Sequence, residues 1–104
     1  MIQINGNNCV PLFAVQDVKS SIYTMTPGGL QLDTNEAGIR HFVGVLRQNY
    51  ANFYNWYNPH DYRLFRVGYF DVDNGQIIAK DLPELIFDGS SLDISDWERG
   101  VPTK

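Results

Sequence analysis

The sequence predicts a small α+β domain: a β-β-α-β-β sheet with one main amphipathic helix packed on one face. Three observations carry that reading. A helical period of apolar residues runs through residues 34–48, β-branched and aromatic runs lie on either side of it, and Asp73-Asn74-Gly75 marks a hairpin between the last two strands. A chain of 104 residues makes one domain, long enough to bury a core without disulfides or a structural metal.

The elements follow in order. Residues 1–9 are polar, Asn-rich and punctuated by Gly6, and are expected to form a flexible N-terminal arm. The single domain is expected over residues 10–88, and residues 89–104 form an acidic C-terminal tail. Val10 to Val15 reads as a strand, with Pro11 at its start or at a sheet edge. Ser21 to Thr26 alternates polar and apolar residues and is a second strand, closed by a turn at Pro27-Gly28-Gly29.

Asp33 is expected to cap the helix, with Glu36 completing a capping-box pattern. Ile39, Phe42, Val43 and Leu46 then fall on one helical face. Tyr50, Phe53, Tyr54 and Tyr57 continue the spacing, so either the helix extends or a short turn packs beside it, until Asn58-Pro59 stops it. Tyr62 to Phe70 is a strand, with Leu64 and Phe70 on one face and Phe65, Val67 and Tyr69 on the other. Gln76 to Lys80 is its return strand, and Leu82 to Phe87 is a further apolar run broken by Pro83. The tail is polar apart from Leu92, Ile94, Trp97 and Val101. One helix covers one face of a sheet, so the other face calls for the tail, a second copy of the chain or a ligand.

Composition narrows the function. The net charge of −4 argues against a generic duplex-DNA binder. The charge is unevenly spread, however: residues 34–70 hold Arg40, Arg47, Arg63 and Arg66 against Glu36 and Asp61, whereas acids dominate from Asp71 onward. That tail either keeps the chain soluble or competes with nucleic acid for the basic middle. No signal peptide or membrane-spanning run is expected, and the lone Cys9 fits a reducing compartment.

Catalytic patterns are missing: there is no GxSxG, Gly-Lys phosphate loop, CxxC or HExxH. We expect no enzyme activity, no cofactor and no metal. His41 is expected at the surface and His60 in a turn or aromatic contact. Asp71-Val72-Asp73-Asn74-Gly75 faintly resembles a calcium loop but lacks the closing Glu, and a hairpin explains it better. The segment that points to a ligand is aromatic. Tyr50, Phe53, Tyr54, Trp56, Tyr57, Tyr62, Phe65, Tyr69 and Phe70 are interleaved with Arg47, Arg63 and Arg66. Single-stranded nucleic acid is held by this mixture, because rings stack bases and guanidinium groups meet phosphates. The competing reading places those rings in the core and in a dimer interface. On the helix, Arg40 and Arg47 share a side with Gly44 between them; either a phosphate approaches there, or Glu36 simply pairs with Arg40.

Asp61-Tyr62-Arg63-Leu64-Phe65-Arg66-Val67-Gly68-Tyr69-Phe70-Asp71, followed by Asp73-Asn74-Gly75, resembles the "DYxLYxIGxFDxxxG" stretch of the small nonstructural protein of gokushoviruses, microviruses with single-stranded circular DNA. Asn35 to Phe42 is similar to that family's "NDAxAIRxF" helix start, and Phe13 to Lys19 to its "YxIxDxK" strand. Gly38 departs from the pattern, standing where the family has a helix former. The resemblance implies a non-enzymatic phage protein of the host bacterial cytoplasm, tied to viral DNA replication or packaging and often to DNA binding. On that reading Arg40, Arg47, Arg63 and Arg66 contact phosphates, while Tyr54, Trp56, Tyr57 and Tyr69 stack bases of single-stranded DNA. A homo-dimer is expected. The alternative is a dimeric protein–protein adaptor docking on a phage or host replication or procapsid component, with the aromatics as interface anchors.

Overall fold

Asn5 and Gly6 both take positive φ, 53° and 83°, the backbone of a two-residue type I′ hairpin turn. The turn joins β1 (Ile2–Ile4) to β2 (Asn7–Asp17), with Ile4 opposite Asn7 and Ile2 opposite Cys9. The segment expected as an arm therefore forms a strand and part of the next, and the order is β-β-β-α-β-β rather than β-β-α-β-β. The computed structural model describes residues 2–25 and 34–98. The expected turn at Pro27-Gly28-Gly29, the expected cap Asp33, and Val101 lie outside them.

β2 is the hub of an antiparallel sheet. β1 and β3 (Ile22–Met25) pair with its two ends, and β4 (Tyr62–Asp71) pairs with it from Cys9 opposite Asp71 to Asp17 opposite Tyr62. β5 (Gln76–Asp88) flanks β4. The register breaks once between β2 and β4: Leu12 faces Gly68 and Phe13 faces Arg66, which leaves Val67 as an extra residue. A bulge reverses the alternation beyond it. Tyr62, Leu64, Arg66 and Tyr69 consequently share one face, and Arg63, Phe65 and Phe70 the other. Strict alternation places Tyr69 opposite Leu64, and the bulge corrects that. On β5, Gly68 faces Ala79 but Arg66 faces Glu84, so Lys80 to Pro83 arch out of the ladder, with Lys80 Nζ 3.3 Å from Glu84 at the base of the arch. The apolar run broken by Pro83 is thus the far half of the same strand.

α1 (Asn35–Phe53) is capped by Thr34, whose Oγ1 accepts from the Ala37 N–H at 3.0 Å. It takes up the aromatic spacing as far as Phe53 before a turn begins. Its buried Phe42 and Leu46 meet Phe13, Leu64 and Tyr57. Each fully buried aliphatic or phenyl side chain of this set contributes roughly 1.5–3 kcal/mol. Gly38 is where the helix crosses β2. A Cβ there would lie 2.7 Å from the tip of the Phe13 ring, which accounts for a glycine at a helical position.

The start of the tail joins the same layer. Gly89 to Ser91 make a 3-10 turn after Asp88, and α2 (Ser95–Glu98) follows. A Cβ on Gly89 would lie 2.5 Å from the carbonyl oxygens of both Pro59 and Tyr62. Leu92 and Trp97 pack on the edge of the core, with the Trp97 ring 6.3 Å from that of Tyr50.

Candidate nucleic-acid interface

No Asp or Glu occurs between Glu36 and Asp61. Most of that acid-free stretch is α1 and the turn behind it. Arg40 and Arg47 lie one heptad apart, about 10 Å along the axis, and both are exposed. None of the ion pairs among the described residues involves either of them, and the expected Glu36–Arg40 pair does not form. Gly44 between them has no atom within 4 Å of where a Cβ would stand, so the helix surface there is open. Tyr54, half-buried, follows Arg47 by a further heptad.

At the end of this strip the chain exposes aromatic surface. Trp56 is 71% exposed and Phe53 is 45% exposed, with their rings 5.3 Å apart and tilted by 35°. Phe53 is not among the expected site residues. Its spacing from Leu46 assigns it to the buried face, but in the structure it is exposed. No periodicity signal distinguishes those two outcomes.

The other expected residues serve the fold. Tyr57 is buried, stacked on Tyr62 at 4.9 Å, and its hydroxyl accepts from Asn49 Nδ2 at 3.4 Å. Burial pushes its hydroxyl up to about 12, against the opposing pull of Asn49. Its ring is not open to a base. Arg63 points to the opposite face of the sheet and pairs with Asp88 at 3.1 Å. The Ser90 N–H, and then Arg63, hold the Asp88 carboxyl below its usual value. Arg66 donates to Asn35 Oδ1 and to the Tyr69 hydroxyl, and its guanidinium lies 5.8 Å from the Phe13 ring and 5.6 Å from that of Tyr69. Arg66 and Tyr69 thereby tie β4 to the start of α1. Of the eight expected residues, Arg40 and Arg47 share one side of α1 with half-buried Tyr54 a heptad further on, Trp56 is exposed in the turn after the helix, and Tyr57, Arg63, Arg66 and Tyr69 are engaged within the fold.

The remaining chemical groups have structural partners, except that the buried Nε2 of His41 has no hydrogen-bond partner. Asp71, 2% exposed, accepts from Asn7 Nδ2, the Asp73 and Asn74 N–H groups and Asn74 Nδ2 at 2.9–3.1 Å. Asp73 accepts from the Asn8 N–H at 2.8 Å. The acidic loop is a hairpin clasped to the N-terminal strands. Burial pushes the Asp71 carboxyl upward, but its donors together outweigh that and hold it below the usual value. Cys9 is buried beside it, and burial and then the Asp71 charge raise its thiol, the wrong direction for a nucleophile. His60 Nε2 contacts the Leu92 carbonyl at 2.8 Å, and His41, expected at the surface, is half-buried. Among the described residues no cluster of His, Cys, Asp or Glu could hold a metal ion, and no helix is long and apolar enough to cross a membrane. A cleft of about 250 Å³ between Val15, Ile22 and Tyr62 carries Asp17 on its wall and does not continue the basic strip.

Against known proteins, the pattern of the phage ORF5 protein family matches residues 10–92. No curated protein and no solved structure matches the chain.

Proposed function

The chain belongs to the phage ORF5 protein family, and from that premise we propose that it is a non-enzymatic accessory protein that binds single-stranded DNA during phage replication or packaging in the host cytoplasm. The resemblance of its strand-and-turn segment to the gokushovirus nonstructural protein supports a phage with a single-stranded genome. The observation that carries the reading is the strip on α1: two exposed guanidinium groups outside every ion pair among the described residues, an open surface between them, and an exposed Trp56 beyond. Phosphates run along Arg40 and Arg47, and a base lies on Trp56 with Phe53 and Tyr54 beside it. Arg63, Arg66, Tyr57 and Tyr69 act indirectly, by holding the scaffold.

Fluorescence anisotropy with a labelled oligodeoxythymidine, measured across a salt series, tests this. Replacing Arg40 and Arg47 by Ala lowers the slope of log affinity against log salt by about 1.4, or about 0.7 for each phosphate no longer neutralised. Trp56→Ala weakens binding by about 1–3 kcal/mol without altering that slope. Binding that is absent at low salt, or indifferent to all three substitutions, rules the interface out.

A second reading, an adaptor docking on a phage or host replication or procapsid component, is favoured by the same Phe53–Trp56 pair, since exposed paired rings also anchor protein interfaces. It predicts salt-insensitive capture of a protein that Trp56→Ala abolishes and that the two Arg substitutions leave intact.

A further inference from the structure

β2 and β4 are apolar on both faces, the pattern of strands covered on both sides. Among the described residues a helix covers only one face, although Val10 and Ala14 on the other are buried at 3% and 2% exposure. α1 packs on the face of Phe13, Leu64 and Phe87, and Leu92 and Trp97 of the tail pack on that side too. This part of the tail is therefore not the second layer. The opposite face brings together Leu12 of β2, Tyr23 of β3, Phe65 and Phe70 of β4, and Ile77 and Leu85 of β5. The Tyr23 and Phe65 rings meet edge to face at 5.4 Å. Ile77 is 71% exposed, Leu85 51% and Tyr23 42%.

We propose that a second copy of this chain covers this face, the two sheets packing face to face about a two-fold axis. Charge selects the occupant. The charged residues that β4 and β5 bring to this face, Arg63 and Asp88, neutralise each other at 3.1 Å, so two copies meet there without burying like charges. A polyanion finds no unpaired cation in the patch. A two-fold contact needs only a patch complementary to itself, and here the patch is apolar with its charges paired. Aligned packing of two twisted sheets is a standard way to bury such faces. In the dimer both α1 helices lie on the outside, so the proposal stands independently of the nucleic-acid reading.

Sedimentation equilibrium of the full chain at micromolar concentration decides it. The expected mass is twice 11.9 kDa. Ile77→Lys combined with Leu85→Lys, at two positions more than half exposed, halves the mass and leaves the far-ultraviolet circular dichroism unchanged. Phe53→Lys combined with Trp56→Lys leaves the dimer intact. A wild-type monomer, a dimer that survives the β5 substitutions, or a dimer abolished only by the Phe53 and Trp56 substitutions each overturns the proposal.

Discussion

Two glycines on α1 respond in opposite directions to the same substitution. In each case alanine recovers the helix propensity that glycine forfeits, about 1 kcal/mol. At Gly44 nothing lies within 4 Å of the new methyl group, so Gly44→Ala stabilises the fold by about that amount. At Gly38 the methyl carbon would stand 2.7, 2.9 and 3.0 Å from three carbons at the tip of the Phe13 ring. Phe13 is fully buried and packed with Phe42, Leu46 and Leu64, so the ring has no free volume to enter. Overpacking of this kind costs about 1–3 kcal/mol. Gly38→Ala therefore destabilises by up to about 2 kcal/mol after the propensity gain is subtracted, and the two variants differ by about 1–3 kcal/mol. Urea unfolding followed by circular dichroism measures the difference, with equal m-values confirming that the same surface unfolds. Shortening the ring with Phe13→Leu in the Gly38→Ala background gives a smaller loss than the sum of the single losses. If Gly38→Ala proves as stable as Gly44→Ala, the ring tip is not seated against the helix and the account of the α1–β2 contact fails.

Three further outcomes follow from the packing. The donors around Asp71 hold its folded carboxyl below its usual 3.8, so its contribution is complete above that value and fades as pH falls through the folded one; Asp71→Asn is less stable at neutral pH, and its stability profile is flatter in acid, as read by unfolding at stepped pH. The Tyr57 hydroxyl, raised to about 12, favours the folded state fully below the usual 10 and progressively less as pH rises toward 12; phenolate absorbance shows a component ionising late, alongside Tyr62, which burial also raises, and Tyr57→Phe removes its latest part. Gly89→Ala drives a methyl group to 2.5 Å from two backbone oxygens, and thermal unfolding registers a loss of about 3 kcal/mol, whereas a Gly89 that merely begins a loose tail predicts no change.

Much of the architecture is legible in local pattern. The spacing of Ile39, Phe42, Val43 and Leu46 locates α1, and Asp73-Asn74-Gly75 locates the β4–β5 turn, because both are governed by contacts a few residues apart. Asn5-Gly6 is an equally good turn signal, but Asn7 and Asn8 give its second strand the polarity of an arm; they are in the sheet because they bond to the Asp71–Asp73 loop, some sixty residues away. The Val67 bulge is hidden for a related reason: nothing in Arg66-Val67-Gly68 announces that its partner strand skips a residue, and the skip decides which rings share a face. The consequence reaches the site. Tyr69, expected on the face away from Leu64, is a neighbour of Arg66, and Arg63 is held by Asp88 through a pairing that only the β5 register reveals. Arg40, Arg47 and Trp56 stay at the surface because their exposure depends on helix geometry and on where the helix ends.

The position of β2 has a consequence for how the chain is made. Its long pairing runs from Cys9 opposite Asp71 to Asp17 opposite Tyr62, so the strand that completes it is synthesised well after it. At about 5–20 residues per second, translation leaves the apolar stretch Val10 to Val15 without that partner for several seconds. During that interval the short hairpins to β1 and β3, and then α1 against Phe13, are its shelter. A chain ended before Tyr62 therefore carries β2 with one edge unpaired along most of its length, the kind of exposed strand edge that favours aggregation.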